Sequence, residues 1–184
     1  MTETNLSVRE LVIGDIDLFA SYWLNSDESD LAHMGVDINK LPTKDEFFSY
    51  WKSQLEMPLE DRLSYCIIWQ RNNVTIGHSS TRPTCFGEEA YMHLHLWGNH
   101  DRRKGLGYEF MKLTIQHFFQ KLSLKDLYCE PYALNPAPNA LLQKAGFHLL
   151  KQYKTVPGPS NFQQIVKLWH LSRDNYESLY SAGT

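Results

Sequence analysis

The chain has 184 residues and a formal net charge of −3. That length supports one well-buried core and is short for two, so a single domain over residues 1–184 is expected. With 42% hydrophobic and 21% charged residues the composition excludes a mainly disordered chain, and the acidic balance argues against a nucleic-acid partner. In chain order, Leu6–Leu11 reads as a short strand, and Asp15 stands as a cap before Ile16, Leu18, Phe19 and Trp23, predicting a helix over Asp15–Leu24. Asn25–Pro42 is polar and irregular. Thr43 and Glu46 form a capping box that opens a helix over Lys44–Glu56, ended by Pro58. Ser64–Gln70 and Val74–Ser80, joined by Arg71-Asn72-Asn73, read as an antiparallel hairpin. Gly87-Glu88-Glu89 leads into a third strand, Ala90–Trp97. A long helix follows from Gly105 to Leu122, then a strand at Asp126–Glu130 and a short helix near Pro138–Lys144. Two strands, Phe147–Thr155 and Gln163–Ser172, close the chain around the turn-rich Val156–Asn161, and the last four residues read as a frayed tail. A strand meander, a strand–helix–strand crossover and a closing hairpin define an α/β fold: a mixed, mainly antiparallel central sheet with helices on both faces.

The three cysteines, Cys66, Cys85 and Cys129, are odd in number and far apart, which reads as reduced thiols in a cytoplasmic protein. No pair of them has metal-ligand spacing, and no metal is expected. The N-terminus lacks the basic and apolar segments of a secretory signal. No apolar run approaches the roughly 20 residues of a membrane helix, so no membrane partner is expected.

Chemistry concentrates in two places. Along Ala90–Trp97, alternation puts Met92, Leu94 and Leu96 on a core face and Tyr91, His93, His95 and Trp97 on the other, which is aromatic and titratable. The strand feeds the loop Gly98–Gly107, where Arg102, Arg103 and Lys104 precede Gly105 and Gly107 at the start of the long helix. Unpaired N–H groups, the positive helix end, glycines and basic side chains together suit a diphosphate. No Ser or Thr follows a Gly-Lys pair as a Walker A loop requires, and the glycine spacing is not that of a dinucleotide fingerprint. The second place is the segment C-E-P-Y-A-L-N-P-A-P-N-A-L-L-Q-K-A-G-F, Cys129 to Phe147.

With Arg102-x-x-Gly105-x-Gly107, this segment resembles the GNAT N-acetyltransferase superfamily, most nearly its branch of ribosomal-protein and other protein N-terminal acetyltransferases. The likeness is strong over about Ala90 to Phe147 and looser at both ends. It implies acetyl-CoA as acetyl donor, with Arg102, Arg103, Lys104, Gly105, Leu106, Gly107 and Tyr108 around the diphosphate. It also implies backbone groups of His95, Leu96 and Trp97 along the pantetheine arm, and a cofactor contact from Asn135.

An amine must be neutral to attack a thioester, so a base or water chain is needed, and the developing oxyanion needs an N–H donor. Glu130, five residues before Asn135 where some relatives carry a glutamate, is the first choice of base, with His93 and His95 as rivals. Many relatives place a tyrosine acid where this chain has Leu142, and Pro138 replaces the serine of others. The acid is therefore open among Tyr132, Tyr128 and water.

Asn25–Pro42 and Val156–Asn161 are expected to flank the acceptor cleft, with Asp27, Glu28, Asp30 and Asp37 drawing in a cationic amine. The acceptor is an amine of a small molecule or a protein, and the protein is expected to be a monomer or a homodimer. A non-catalytic acyl-CoA sensor of the same fold, or a protein using the loop for another nucleotide diphosphate, are the competing readings.

Overall fold

The computed structural model describes residues 5–98 and 105–180. Its strands are β1 (Leu6–Glu10), β2 (Tyr65–Arg71), β3 (Val74–Cys85), β4 (Glu89–Leu96), β5 (Asp126–Cys129), β6 (His148–Thr155) and β7 (Gln164–Ser172). Its helices are α1 (Ile16–Leu24), α2 (Glu28–His33), α3 (Lys44–Glu56), α4 (Leu106–Lys121), α5 (Pro136–Lys144) and α6 (Arg173–Tyr180), with short 3₁₀ turns between them. The strands form one sheet in the order β1-β2-β3-β4-β5-β7-β6. All pairs are antiparallel except β4 with β5. This is the mixed, mainly antiparallel sheet that the sequence predicts. Among the described residues, no helix is long and apolar enough to cross a membrane.

One sheet face carries the main core under α4, α5 and α6. Trp69 of β2 lies flat on Phe110 of α4, with ring centroids 4.9 Å apart. Its buried indole N–H needs an acceptor, and Thr114 Oγ1 supplies one at 3.0 Å. Truncating either ring removes roughly 3–5 kcal/mol of stability. The opposite face packs α1 and α3 through Phe19, Phe47 and Trp51 against Cys66 and Ile68. The capping box forms as expected: the Glu46 N–H donates to Thr43 Oγ1, and the Glu46 carboxylate accepts from the Thr43 N–H.

Three local features differ from the sequence reading. Asp15 does not cap α1 with its side chain. Arg9 holds its carboxylate through a two-pronged ion pair at 2.6 and 2.7 Å, which lowers the acid's pKa. The stretch expected to be irregular contains α2, a six-residue helix anchored by buried Leu31. Beyond β7 lies α6, where Tyr176 stacks on Phe119 at 4.4 Å.

The sheet divides between β4 and β5. Those strands pair only over Glu89↔Asp126, Ala90↔Leu127 and Tyr91↔Tyr128. Past Tyr91, β4 stays with β3 as far as Leu96. Past Tyr128, the other chain stays with β7, since the Pro131 carbonyl accepts from the Lys167 N–H and Tyr132 bridges to Val166. A gap opens between two strands that began as neighbours.

Candidate functional site

The peptide groups along the gap follow from strand alternation. The Trp97 N–H donates to the Ile76 carbonyl, and the His93 carbonyl accepts from Ser79 Oγ, so residues 93, 95 and 97 turn their peptide groups toward β3. Those of Leu94 and Leu96 therefore face the gap, where no strand of β5 receives them. Gly77 makes the tight β3–β4 approach possible, because a Cβ there would sit 2.5 Å from the His95 carbonyl oxygen.

The next element in the chain after β4 is α4. Gly105 caps it in the left-handed region at φ +78°, which glycine adopts without cost. A Cβ at Gly105 would meet nothing within 4 Å, and one at Gly107 would meet only Leu141 Cδ2 at 3.8 Å. The Tyr108 N–H turns back to the Gly105 carbonyl at 3.1 Å, and a helix start with two glycines and no side chain crowding either fits the diphosphate expected there. Tyr108 lies beside it with Lys144 Nζ 4.0 Å and Lys112 Nζ 5.2 Å from its ring centroid. Arg102, Arg103 and Lys104 lie outside the described residues.

Asn135 caps α5 without a side-chain cap bond. Asn139, one turn on, is fully engaged: its amide donates to the Tyr132 and Asn135 carbonyls and its oxygen accepts from the Trp169 indole. Leu142, where the resemblance would put a tyrosine, is buried in the main core. Tyr132 packs edge-on against Phe162 at 5.9 Å.

On the other sheet face, β3 and β4 floor a cleft of about 660 Å³ beneath α1, α3 and the β6–β7 loop. Phe19, Trp23, Met34, Phe47, Trp51 and Leu63 give it apolar walls. His93 and His95 project into it, as does His78, which the sequence reading did not single out. His78 is the cross-strand partner of His95 and stacks on it at 4.9 Å. Trp97 Nε1–H donates to His78 Nδ1 at 2.7 Å, so that nitrogen carries no proton. His93 Nε2 bonds the Arg82 carbonyl at 3.3 Å. A carbonyl only accepts, so the His93 proton sits on Nε2 and Nδ1 keeps its lone pair. Tyr22 OH and His95 Nδ1 lie 3.2 Å apart. The sequence signal for His78 was its alternation with Ser80 along β3, and only the β3–β4 register sets it opposite His95.

Glu130 continues the β5 face of Tyr128 and is not among the residues that line this cleft. Its carboxylate accepts a hydrogen bond from Tyr153 OH, whose pKa is raised by burial and by that carboxylate. Asp27, Glu28, Asp30 and Asp37 do not line the cleft either. Asp37 caps Asn39 N–H at 3.1 Å and faces Lys40, while Met34, Val36, Lys40 and Leu41 are what this segment turns inward. A groove of about 770 Å³ runs beside α5 past Phe147 and Trp169, and it holds none of the three histidines. Among the described residues no group of three or more His, Cys, Asp and Glu could hold a metal ion.

Burial, with the charges of His95 and His93, pushes the His78 pKa well below the ordinary range, and burial lowers His93 and His117 as well. An unfolded histidine takes a proton as pH falls through about 6.5, while the folded one does not. Unfolded chains then bind more protons, so stability is full above about 6.5 and falls below it. For His78 the slope is about 1.4 kcal/mol per pH unit. Urea unfolding at pH 7.5 and 5.5 should show the loss, and His78→Phe should reduce it; equal midpoints for the native chain would contradict the buried neutral imidazole.

The family model described as an acetyltransferase (GNAT) domain matches residues 5–148. No curated protein matches the sequence significantly. Among solved structures, spermidine N-acetyltransferase from Vibrio cholerae in complex with CoA and spermine is similar, with a TM-score of 0.75 and 15% identity over 93% of this chain and 97% of that one. A ribosomal L7/L12 alpha-N-protein acetyltransferase in complex with CoA gives a TM-score of 0.76 and 13% identity over 95% and 98%. An aminoglycoside acetyltransferase in complex with CoA and kanamycin gives 0.71 and 15% over 95% and 99%. These likenesses show a common fold. With the family match over residues 5–148, the divided sheet and the glycine-capped α4, the conclusion is that this chain belongs to the GNAT acetyltransferase family.

Proposed function

We propose that this chain is an acetyl-CoA-dependent N-acetyltransferase that moves an acetyl group to a primary amine by direct attack. The observation that carries the reading is the gap between β4 and β5, followed in the chain by the glycine-capped start of α4. The CoA complexes of the structural relatives support the same placement. The first-turn amides of α4, with the basic triplet before them, would hold the diphosphate. The gap-facing peptide groups of Leu94 and Leu96 would hold the pantetheine arm, with Asn135 beside it; those of His95 and Trp97, which the resemblance also implied, are instead turned to β3. The bound thioester supplies the acetyl group.

The chain's own groups supply the rest. The amine enters from the histidine-lined cleft. His93 accepts its proton at Nδ1, which the Arg82 carbonyl leaves unprotonated. The Leu94 N–H, turned into the gap, suits the oxygen that gains charge. Glu130, on the far side of the gap and bonded by Tyr153, is the rival base. Tyr132 stays the candidate acid for the leaving thiolate. The three free thiols suit a reducing, cytoplasmic setting.

Thermal shift with acetyl-CoA, ATP and NAD, followed by thiol release across a set of amines, tests this. Acetyl-CoA alone should stabilise the protein and thiol should appear only with an amine. Equal stabilisation by ATP or NAD would point to another diphosphate ligand, and binding without thiol release would point to a sensor.

A further inference from the structure

We infer, resting on the acetyltransferase reading above, that the acceptor is a small monoamine with an aromatic or branched apolar body and a carboxylate. Three observations lead there.

The cleft is roofed on one side. The Asp37 N–H donates to the Ser160 carbonyl at 2.8 Å, Lys40 Nζ to the Asn161 carbonyl at 2.9 Å, and both Asn161 Nδ2 and Gln164 Nε2 to the Gly35 carbonyl at 2.8 Å. Val36 and Asn161 also form a bridge. Gly35 stands at φ +80°, and any Cβ there would overlap the Gln164 carboxamide. The loop after β6 is thereby joined to the segment after α2, across the path that an extended polypeptide would take over the histidines. A volume of about 660 Å³ lies in the range of small-molecule sites.

The walls are apolar. Phe19, Trp23, Phe47 and Trp51 present aromatic surface, and Met34, Val36 and Leu63 extend it. An acceptor gains affinity here by burying carbon.

The charges oppose a polycation. Glu46 is the one carboxylate among the lining residues, and one of its oxygens accepts from both the N–H and the hydroxyl of Thr43. Against it stand Lys40 and Arg82. His78 and His93 add no negative charge, and burial keeps both neutral. A polyamine such as spermine would bring several cations to a wall with one carboxylate and two basic side chains. Arg82 instead lies over the Tyr50 ring at 4.8 Å, and its own carbonyl holds His93. A guanidinium placed over the ring in this way offers a planar fork that matches a carboxylate, near the imidazole that faces the amine.

Matched probes separate the parts. Thiol release from acetyl-CoA is measured with tryptophan against tryptamine, leucine against isoamylamine, spermine, and an unstructured peptide with a free N-terminus. The carboxylate-bearing member of each pair should lead by roughly 10- to 100-fold in kcat/KM, with spermine and the peptide at background. Arg82→Gln should bring the tryptophan-to-tryptamine ratio close to one through KM, and Arg82→Lys should restore part of it. Preference for spermine or the peptide overturns the inference and leaves the acetyltransferase reading intact. Silence from every pair in a protein that acetyl-CoA stabilises also overturns the inference, and silence from spermine and the peptide as well points to the sensor. Absence of that stabilisation overturns the acetyltransferase reading itself.

Discussion

Gly105→Glu should raise the Kd for acetyl-CoA at least about 100-fold, or about 2.7 kcal/mol. The position is open, so the new side chain meets no wall. It does bring a carboxylate to the turn where a diphosphate belongs, and like charges at contact distance repel strongly where water is excluded. The backbone adds a smaller cost, since a non-glycine residue at φ +78° is strained by roughly 1–2 kcal/mol. Gly105→Asn isolates that cost, because asparagine tolerates the left-handed region, and its Kd should stay within about fivefold of the native value. The acidic variant should still fold, as a carboxylate suits a helix N-terminus. Isothermal titration decides the matter: an unchanged Kd in a folded Gly105→Glu protein removes α4 from the cofactor site.

His93→Gln should lower kcat by about 100- to 1000-fold while leaving the Kd for acetyl-CoA unchanged. The pH profile gives the sharper signature. A base works only when unprotonated, and burial lowers the His93 pKa from its ordinary 6.5. The acid limb of kcat in the native enzyme should therefore fall below pH 6.5, with full activity above it, and glutamine should abolish that limb. Glu130→Gln is the control, because Glu130 already engages Tyr153 and does not line the cleft. Its kcat should change less than about fivefold, well short of losing a general base. Should Glu130→Gln be the silent enzyme and His93→Gln the active one, the two roles exchange.

How far the sequence could be read depended on whether a signal was local. Thr43 and Glu46 sit three residues apart, and the helix begins where they place it. Asn72 and Asn73 turn the β2–β3 hairpin with positive φ at both, as a tight turn between such strands demands. Met92, Leu94 and Leu96 separate from His93, His95 and Trp97 because a two-residue period needs no partner to be seen. The helices α2 and α6 were not legible, since six and eight residues carry little periodicity and are held by packing of Leu31 and Tyr176. His78 escaped for a related reason. Its neighbours Trp97 and His95 come from another strand, and only the register brings them together. The expected acidic funnel was a composition argument, and composition does not say which way a side chain points. Asp37 is spent on its own turn while Met34 and Val36 face inward.

The bonds from Gly35, Asp37 and Lys40 to Ser160, Asn161 and Gln164 also bear on the mechanics of the molecule. The sheet is continuous at one end of β4 and β5 and forked at the other, so its halves resemble the arms of tweezers joined over three residue pairs. Left alone, such arms would spread with every thermal excursion. The cross-tie fastens the β6–β7 arm back to the α1–α3 arm, turning an open fork into a closed frame. The slot between the strands keeps its width, and whatever lies in it is held at a fixed distance from the imidazoles on the floor.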